Sequence, residues 1–441
     1  MSLKEPEPRT SYGPSETSDN FGGELARYTD IPPLARWKTL IIEHGVDFED
    51  ASLFNGLEDI ASYKTKRRVL KPIARGLKVF DESEDPSLMP SELIICCDQK
   101  TSIVKLGYKQ DSPLQIDLDE EQGIVLREKA TQKTIPIEIN LVKRREYQDV
   151  RVPGRIDPDR TKLVDFIDVV GLDRLSVITF DGCWNWNCGK PCSFCDYNPK
   201  RQDHTSAKPS TNTLRDFDGD VNLWWSHYQN RYLAGMEYAF KYILDTEDLS
   251  PHQHLLIMSG NLPISLSVWN NALDVVETLN KVRNVGFFDN YLNICPHPDV
   301  EVLQRARGLG IKQVQYNLEV IGPEVFAGMC PGKMDYSTFI ARLEEAVCIM
   351  GFGNVRSNFV LGIQPVEQLL EGIRDLAKKG VVADYSIFQP KRGTPMADHP
   401  APTMDTIVSF TKELVRIYKE YGFHGIYCNL SSRSSIINEC L

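Results

Sequence analysis

Cys188-Gly-Lys-Pro-Cys192-Ser-Phe-Cys195 decides how this chain is read. Three thiols stand at Cys-x3-Cys-x2-Cys spacing, with Phe194 just before the last. Residues 174 to 181, Arg-Leu-Ser-Val-Ile-Thr-Phe-Asp, read as a buried strand, so the cysteines follow on a loop at its C-terminal end. Iron–sulfur clusters are held by cysteine thiolates gathered on short loops of this kind. A four-iron cluster usually takes four cysteines, so three leave one iron without a protein ligand from the loop. A structural zinc site needs four ligands, typically from two cysteine pairs, and no second pair stands nearby. A cluster fits the spacing best, with zinc and inert buried thiols as the alternatives.

Composition sets outer bounds. The chain has 441 residues, enough for two or three domains. Hydrophobic residues make up 41% and charged residues 25%, ordinary for a soluble globular protein. A net charge of −11 argues against a general nucleic-acid binder, which needs a basic surplus. No apolar run is long enough for a membrane span, and the N-terminus lacks the apolar core of a signal peptide. Eleven cysteines without such a signal suit a reducing cytoplasm, where thiols serve as ligands or core residues.

Taken in order, residues 1–30 read as a flexible arm rich in Pro, Ser, Gly and acidic residues. Residues 31–150 read as an α+β extension. Leu34, Trp37, Leu40 and Ile41 fall at helical spacing, and Lys64, Lys66, Arg67, Arg68, Lys71 and Arg75 form a basic patch, read as a solvated face. Short β-rich runs between residues 91 and 146 predict a small antiparallel unit. Cys96 and Cys97 sit on opposite faces of one such strand and are structural. Residues 151–421 alternate strand and helix, the signature of a parallel sheet with helical crossovers. Strands are predicted at 174–181, 254–259, 285–295, 312–319, 354–361 and 381–388. Helices are predicted at 223–244, 265–283, 298–308, 336–350, 366–379 and 403–421. Residues 422–441 read as a C-terminal cap. The histidines at 204, 227, 252, 254, 297, 399 and 424 show no metal-like spacing.

The cysteine loop after a first strand resembles the radical S-adenosylmethionine (SAM) superfamily. That resemblance implies an α/β fold, a partial (βα)6 TIM-like barrel, here with an N-terminal extension containing a small β-rich unit. It implies that Cys188, Cys192 and Cys195 hold a [4Fe-4S] cluster whose open iron chelates SAM. Reductive cleavage of SAM then gives a 5′-deoxyadenosyl radical that abstracts hydrogen from a small-molecule substrate. Met258-Ser259-Gly260-Asn261 stands where the family has a small-residue turn binding the SAM amino group, with Asn261 replacing the usual acid. Gln315-Tyr316-Asn317-Leu318-Glu319 resembles a run of biotin synthase and lipoyl synthase whose polar residues bind the SAM ribose. On the strand of residues 354–361, an inward Arg356 would clamp a carboxylate of SAM or substrate, or pair with Glu319. Lys391-Arg-Gly-Thr-Pro-Met-Ala397 resembles the Lys-Gly-Thr-Pro-Leu-Ala segment of biotin synthase. The resemblance also implies an external electron donor such as flavodoxin or ferredoxin.

Departures from that branch matter. Cys295 matches one cysteine place of the second biotin synthase cluster, but Arg356 stands where another is expected. The N-terminal three-cysteine motif of lipoyl synthase is absent, although the C-terminal Ser434-Ser435 resembles its serine. The alternative to plain hydrogen abstraction is therefore sulfur insertion, with a second iron–sulfur cluster on Cys183, Cys428 and Cys440 plus Ser434 or Ser435. A non-catalytic iron–sulfur or zinc scaffold is the third reading. Cys348 reads as core, and Cys330, in Gly-Met-Cys-Pro-Gly-Lys, lies in a loop that would meet substrate.

Overall fold

The structure, a computed structural model, describes residues 21–49, 53, 62–63, 68–72, 78–82, 89–121, 123–197, 208–248, 254–296, 299–391, 393–426 and 428–441. The predicted arm at residues 1–20 lies outside them, as do Lys64, Lys66, Arg67 and Arg75 of the basic patch. Residues 21–30, read from sequence as the end of that arm, lie within the described residues. They carry helix α1 (Phe21–Ala26), because Phe21, Leu25 and Tyr28 bury apolar surface. Helix α2 (Pro33–His44) buries Leu34, Leu40 and Ile41 in the core shared with the sheet domain.

Next come short strands. β1 (Ser62–Tyr63) pairs with β4 (Met89–Pro90), and β2 (Arg68–Pro72) with β3 (Lys78–Glu82). β5 (Glu92–Cys97) lies between β6 (Lys100–Lys105) and β9 (Glu138–Leu141), all antiparallel. β7 (Leu114–Asp119) and β8 (Gly123–Glu128) form a hairpin.

Among the described residues the main sheet has seven strands in sequence order. These are β10 (Ile167–Val170), β11 (Arg174–Ile178), β12 (His254–Met258), β13 (Asp289–Asn293), β14 (Gln313–Gln315), β15 (Val355–Leu361) and β16 (Val381–Ile387). β10 is an antiparallel edge, and β11 to β16 pair in parallel. Strands covered on both faces favour apolar runs, and here β12 and β16 are mostly apolar while β13, β14 and β15 carry buried or half-buried polar residues. His-Leu-Leu-Ile-Met of β12 is the clearest case.

Between the strands run α3 (Trp184–Asn187), α4 (Val221–Thr246), α5 (Ser265–Val282), α6 (Val300–Gly308), α7 (Pro323–Met329), α8 (Tyr336–Met350) and α9 (Val366–Lys378). They are followed by α10 (Met404–Tyr421) and α11 (Ile437–Cys440). Local chemistry sets several starts. Asp220, Asp299, Asp335 and Thr403 accept backbone N–H bonds in the first turns of α4, α6, α8 and α10. The aromatic helix α4 is core material, with Trp224, Tyr232 and Phe240 fully buried. Cys348 is exposed on α8, so the reading of it as core is corrected. Residues on the flank of an apolar stripe are the ones that period-counting misplaces.

The C-terminal segment runs along the sheet. Leu430 accepts from Leu172 N and donates to Asp173 at the foot of β11. Ser434 O accepts from Ile387 N at the far end of β16, and Arg433 O from Lys105 N of β6. The segment thus ties both ends of the parallel sheet to the N-terminal strands.

Candidate active site

The C-terminal ends of β11, β12 and β13, with the chain after β14, enclose a cavity of about 430 Å³. That is a size suited to a small organic ligand. Ile178, Met258 and Asn293, the last residues of their strands, form its floor. Cys192 and Cys195 line it, together with Cys183 and Cys295. Cys188 does not line the cavity. Its thiol is exposed at the end of α3, with Sγ 3.5 Å from Asn185 O.

The cysteine loop is held from several sides. Met329 O accepts from Ser193 N at 2.8 Å, Ser193 O accepts from Met396 N at 3.3 Å, and Lys391 pairs with Asp196 at 2.5 Å. The segment resembling biotin synthase therefore packs on the loop. Glycine is required at two contacts. A Cβ on Gly260 would lie 2.2 Å from Gly182 O, and one on Gly332 would lie 2.5 Å from Lys190 O. Both allow backbones to meet where a side chain would force them apart.

Ser259, Gly260 and Asn261 all line the cavity. Ser259 Oγ is buried and, among the described residues, has no hydrogen-bond partner. Asn261 N donates to Cys183 Sγ at 3.4 Å, and Asn261 O accepts from Trp184 N at 2.8 Å. Asn317 and Glu319 line the same cavity. Asn317 donates to Asn293 Oδ1 at 3.3 Å and accepts from Asn358 N at 3.2 Å. Glu319 takes a left-handed φ of 73°, which is costly for a residue with a Cβ, while still bridging to Phe359 of β15.

Arg356 is elsewhere. It is not a cavity residue and does not pair with Glu319; its guanidinium grips Asp384 at 2.8 and 2.6 Å. Burial opposes that charge, and the Asp384 carboxylate outweighs it, holding the guanidinium's pKa above its usual range. The arginine's fork matches a neighbouring carboxylate in the sheet.

Glu319 is instead paired with Lys333, a residue that the sequence reading passes over although it ends the quoted Cys330-Pro-Gly-Lys run. Lys333 Nζ donates to Asn317 O at 2.5 Å and to Glu319 Oε1 at 3.1 Å. Burial works to discharge this lysine, but Glu319 and the thiols of Cys330 and Cys192 outweigh it, so the ammonium is held above its ordinary pKa. Cys330 is buried and hydrogen-bonds Cys192, which lowers the Cys192 thiol. Burial pushes Cys195 and Cys295 up to about 12 and also raises Cys183.

The other cysteines do not join this group. Cys428 is buried at the foot of β11, where Arg174 donates to its Sγ at 2.6 Å. That is the opposite end of the strand from Cys183. Cys440 belongs to α11, near Lys38 and Asp30. The proposed second-cluster set is therefore not assembled.

The soft donor set fits an iron–sulfur cluster. Two of the loop's three thiols, Cys192 and Cys195, line a cavity that also offers an orphaned hydroxyl, carboxamides and an ammonium–carboxylate pair, while Cys188 is exposed.

No protein-family model matches the chain. It is 29% identical over 135 residues to bacteriochlorophyllide c C-7(1)-hydroxylase of Chlorobaculum limnaeum, covering 29% of this chain and 33% of that protein. The chain thus matches about a third of the length of that relative. Among solved structures it is similar to coproporphyrinogen III oxidase of Escherichia coli, a radical SAM enzyme, at 14% identity and a TM-score of 0.35, over 58% of this chain and 54% of that one. It is also similar to the FeFe-hydrogenase maturase HydG of Carboxydothermus hydrogenoformans, at 15% identity and a TM-score of 0.37, over 56% and 51%. No described helix is long and apolar enough to cross a membrane.

Proposed function

We propose that this chain is a radical SAM enzyme whose six parallel strands form the partial barrel of that superfamily. The observation that carries the reading is the cavity at the strand ends, where Cys192 and Cys195 meet Ser259, Asn317 and Glu319. In this reading Cys188, Cys192 and Cys195 hold the [4Fe-4S] cluster, and Ser259, Gly260, Asn261, Asn317 and Glu319 surround SAM. When bound, the cluster and SAM supply one-electron cleavage and a carbon radical that abstracts hydrogen.

The chain's own residues do the rest. Lys333 fixes the Glu319 carboxylate and the Asn317 carbonyl in one place. Ser259 Oγ offers an unspent donor and acceptor, and an unsatisfied buried hydroxyl costs stability unless a ligand takes it up. The left-handed backbone at Glu319 is the kind of stored strain that a site retains because it orients a side chain. Contacts of Met329, Gly332 and Met396 with the cysteine loop hold its backbone in place.

The substrate is a small molecule, the electron comes from a flavodoxin- or ferredoxin-type donor, and the enzyme works in the cytoplasm. The likeness to a hydroxylase over 135 residues favours oxidation of a C–H bond over sulfur insertion. The biotin synthase-like type rests on the segments at 315–319 and 391–397 alone. Iron and sulfide analysis of anaerobically purified protein tests the reading. About four irons with matching sulfide support it, about eight favour sulfur insertion, and zinc without sulfide would leave a scaffold.

A further inference from the structure

A separate group of metal-type ligands meets at the end of α2. Glu24 of α1 and Glu43 and His44 of α2 each bring a ligand atom within 4.8 Å of the others. All three side chains are half-buried. His44 Nε2 is closed off from solvent and, among the described residues, has no hydrogen-bond partner. Phe21 packs against the imidazole at 6.1 Å between ring centres.

The charges are awkward as they stand. Glu43 occupies the last turn of α2, where the helix dipole is negative and an acid is misplaced. Arg27 is drawn to Asp405 at 3.4 Å, and Lys109 Nζ donates to the backbone carbonyl of Glu43 at 2.6 Å. Glu43 Oε2 accepts Met404 N at 2.7 Å, an outer hydrogen bond of the kind that orients a ligating carboxylate.

We propose that Glu24, Glu43 and His44 form a zinc-class divalent-metal site that ties α1 and α2 to the start of α10. Magnesium and calcium prefer all-oxygen shells, whereas zinc accepts imidazole and carboxylate together. Three protein ligands leave a fourth position for water. The site lies apart from the cysteine cavity and stands whether or not the proposed enzyme activity does.

The test must exclude the cysteines, which also bind zinc. Zinc is added to the full-length protein with its cluster reconstituted, and the zinc X-ray absorption edge is read for the first shell. The expected result is one zinc per chain with nitrogen and oxygen at about 2.0–2.1 Å, not sulfur at about 2.3 Å. Glu43→Gln keeps an acceptor for Met404 N but loses the charge. It and His44→Gln should weaken zinc at least about tenfold. Glu24→Gln, on the other helix, repeats the test if the α2 variants fold poorly. Absence of bound zinc, a sulfur-only shell, or equal affinity in the folded variants would overturn the site.

Discussion

Lys333, half-buried, and Arg356, fully buried, are both cations paired with carboxylates, and their neighbours separate their roles. Lys333 faces the cavity and Arg356 does not. Lys333→Met would strand the Glu319 carboxylate beside the thiols. Breaking a buried pair costs about 3 kcal/mol or more, and we expect SAM affinity, read by calorimetry, to fall at least about tenfold. Arg356→Met should cost a similar about 3–5 kcal/mol in urea denaturation, because Asp384 is left unpaired. The folded fraction should still bind SAM normally; a stable Arg356 variant that had lost SAM would restore arginine to the site. Neither partner was readable in the sequence. Asp384 and Lys333 are chosen by how strands and loops meet in space, which spacing along one segment does not encode.

Glu43 carries a pH signature at the same scale. Its folded pKa, about 7, lies above the ordinary value of 4.5. The folded chain therefore holds a proton that the unfolded chain has lost, and stability falls as pH rises from about 4.5 to 7. In zinc-free protein Glu43→Gln should remove that part of the slope in urea midpoints measured across the window. An unchanged slope would mean that the carboxyl is not buried as described.

At the scale of elements, the strands were legible from short apolar stretches alternating with helical segments, although β13, β14 and β15 carry polar residues as well. The predicted segments at 354–361 and 381–388 sit within a residue of β15 and β16. The predicted strand at 312–319 shrinks to Gln313–Gln315, with Glu319 returning to β15 as an isolated bridge to Phe359 in a left-handed conformation that no propensity signals. β10 escaped notice because four residues carry too little period to count. The cysteine loop was legible as a motif, but the contacts that hold it are not local. Gly260→Ala tests them: its Cβ would meet Gly182 O at 2.2 Å, so the loop must shift. We expect a cost of about 1–3 kcal/mol and a several-fold drop in iron retained after gel filtration. Full iron in a stable variant would show that this approach does not position the thiols.

For the whole molecule, the C-terminal segment is more than a cap. It joins the foot of β11, the end of β16 and the N-terminal strands. Lys38, fully buried, donates to Ser432 O at 2.5 Å and to Glu439 at 2.6 Å. Such contacts between chain ends leave no trace in local sequence, so only the presence of the terminal segment was readable. Glu439→Ala would leave the Lys38 ammonium buried without its counter-charge, at about 3–5 kcal/mol, read as a lower urea midpoint.

The central claim is that the cysteine loop and the strand-end cavity act together on SAM. Anaerobic protein with a reconstituted cluster, reduced with dithionite and given SAM, should release 5′-deoxyadenosine, and Cys192→Ala should release none. An intact four-iron cluster that yields no 5′-deoxyadenosine, or equal release by Cys192→Ala, would contradict the account.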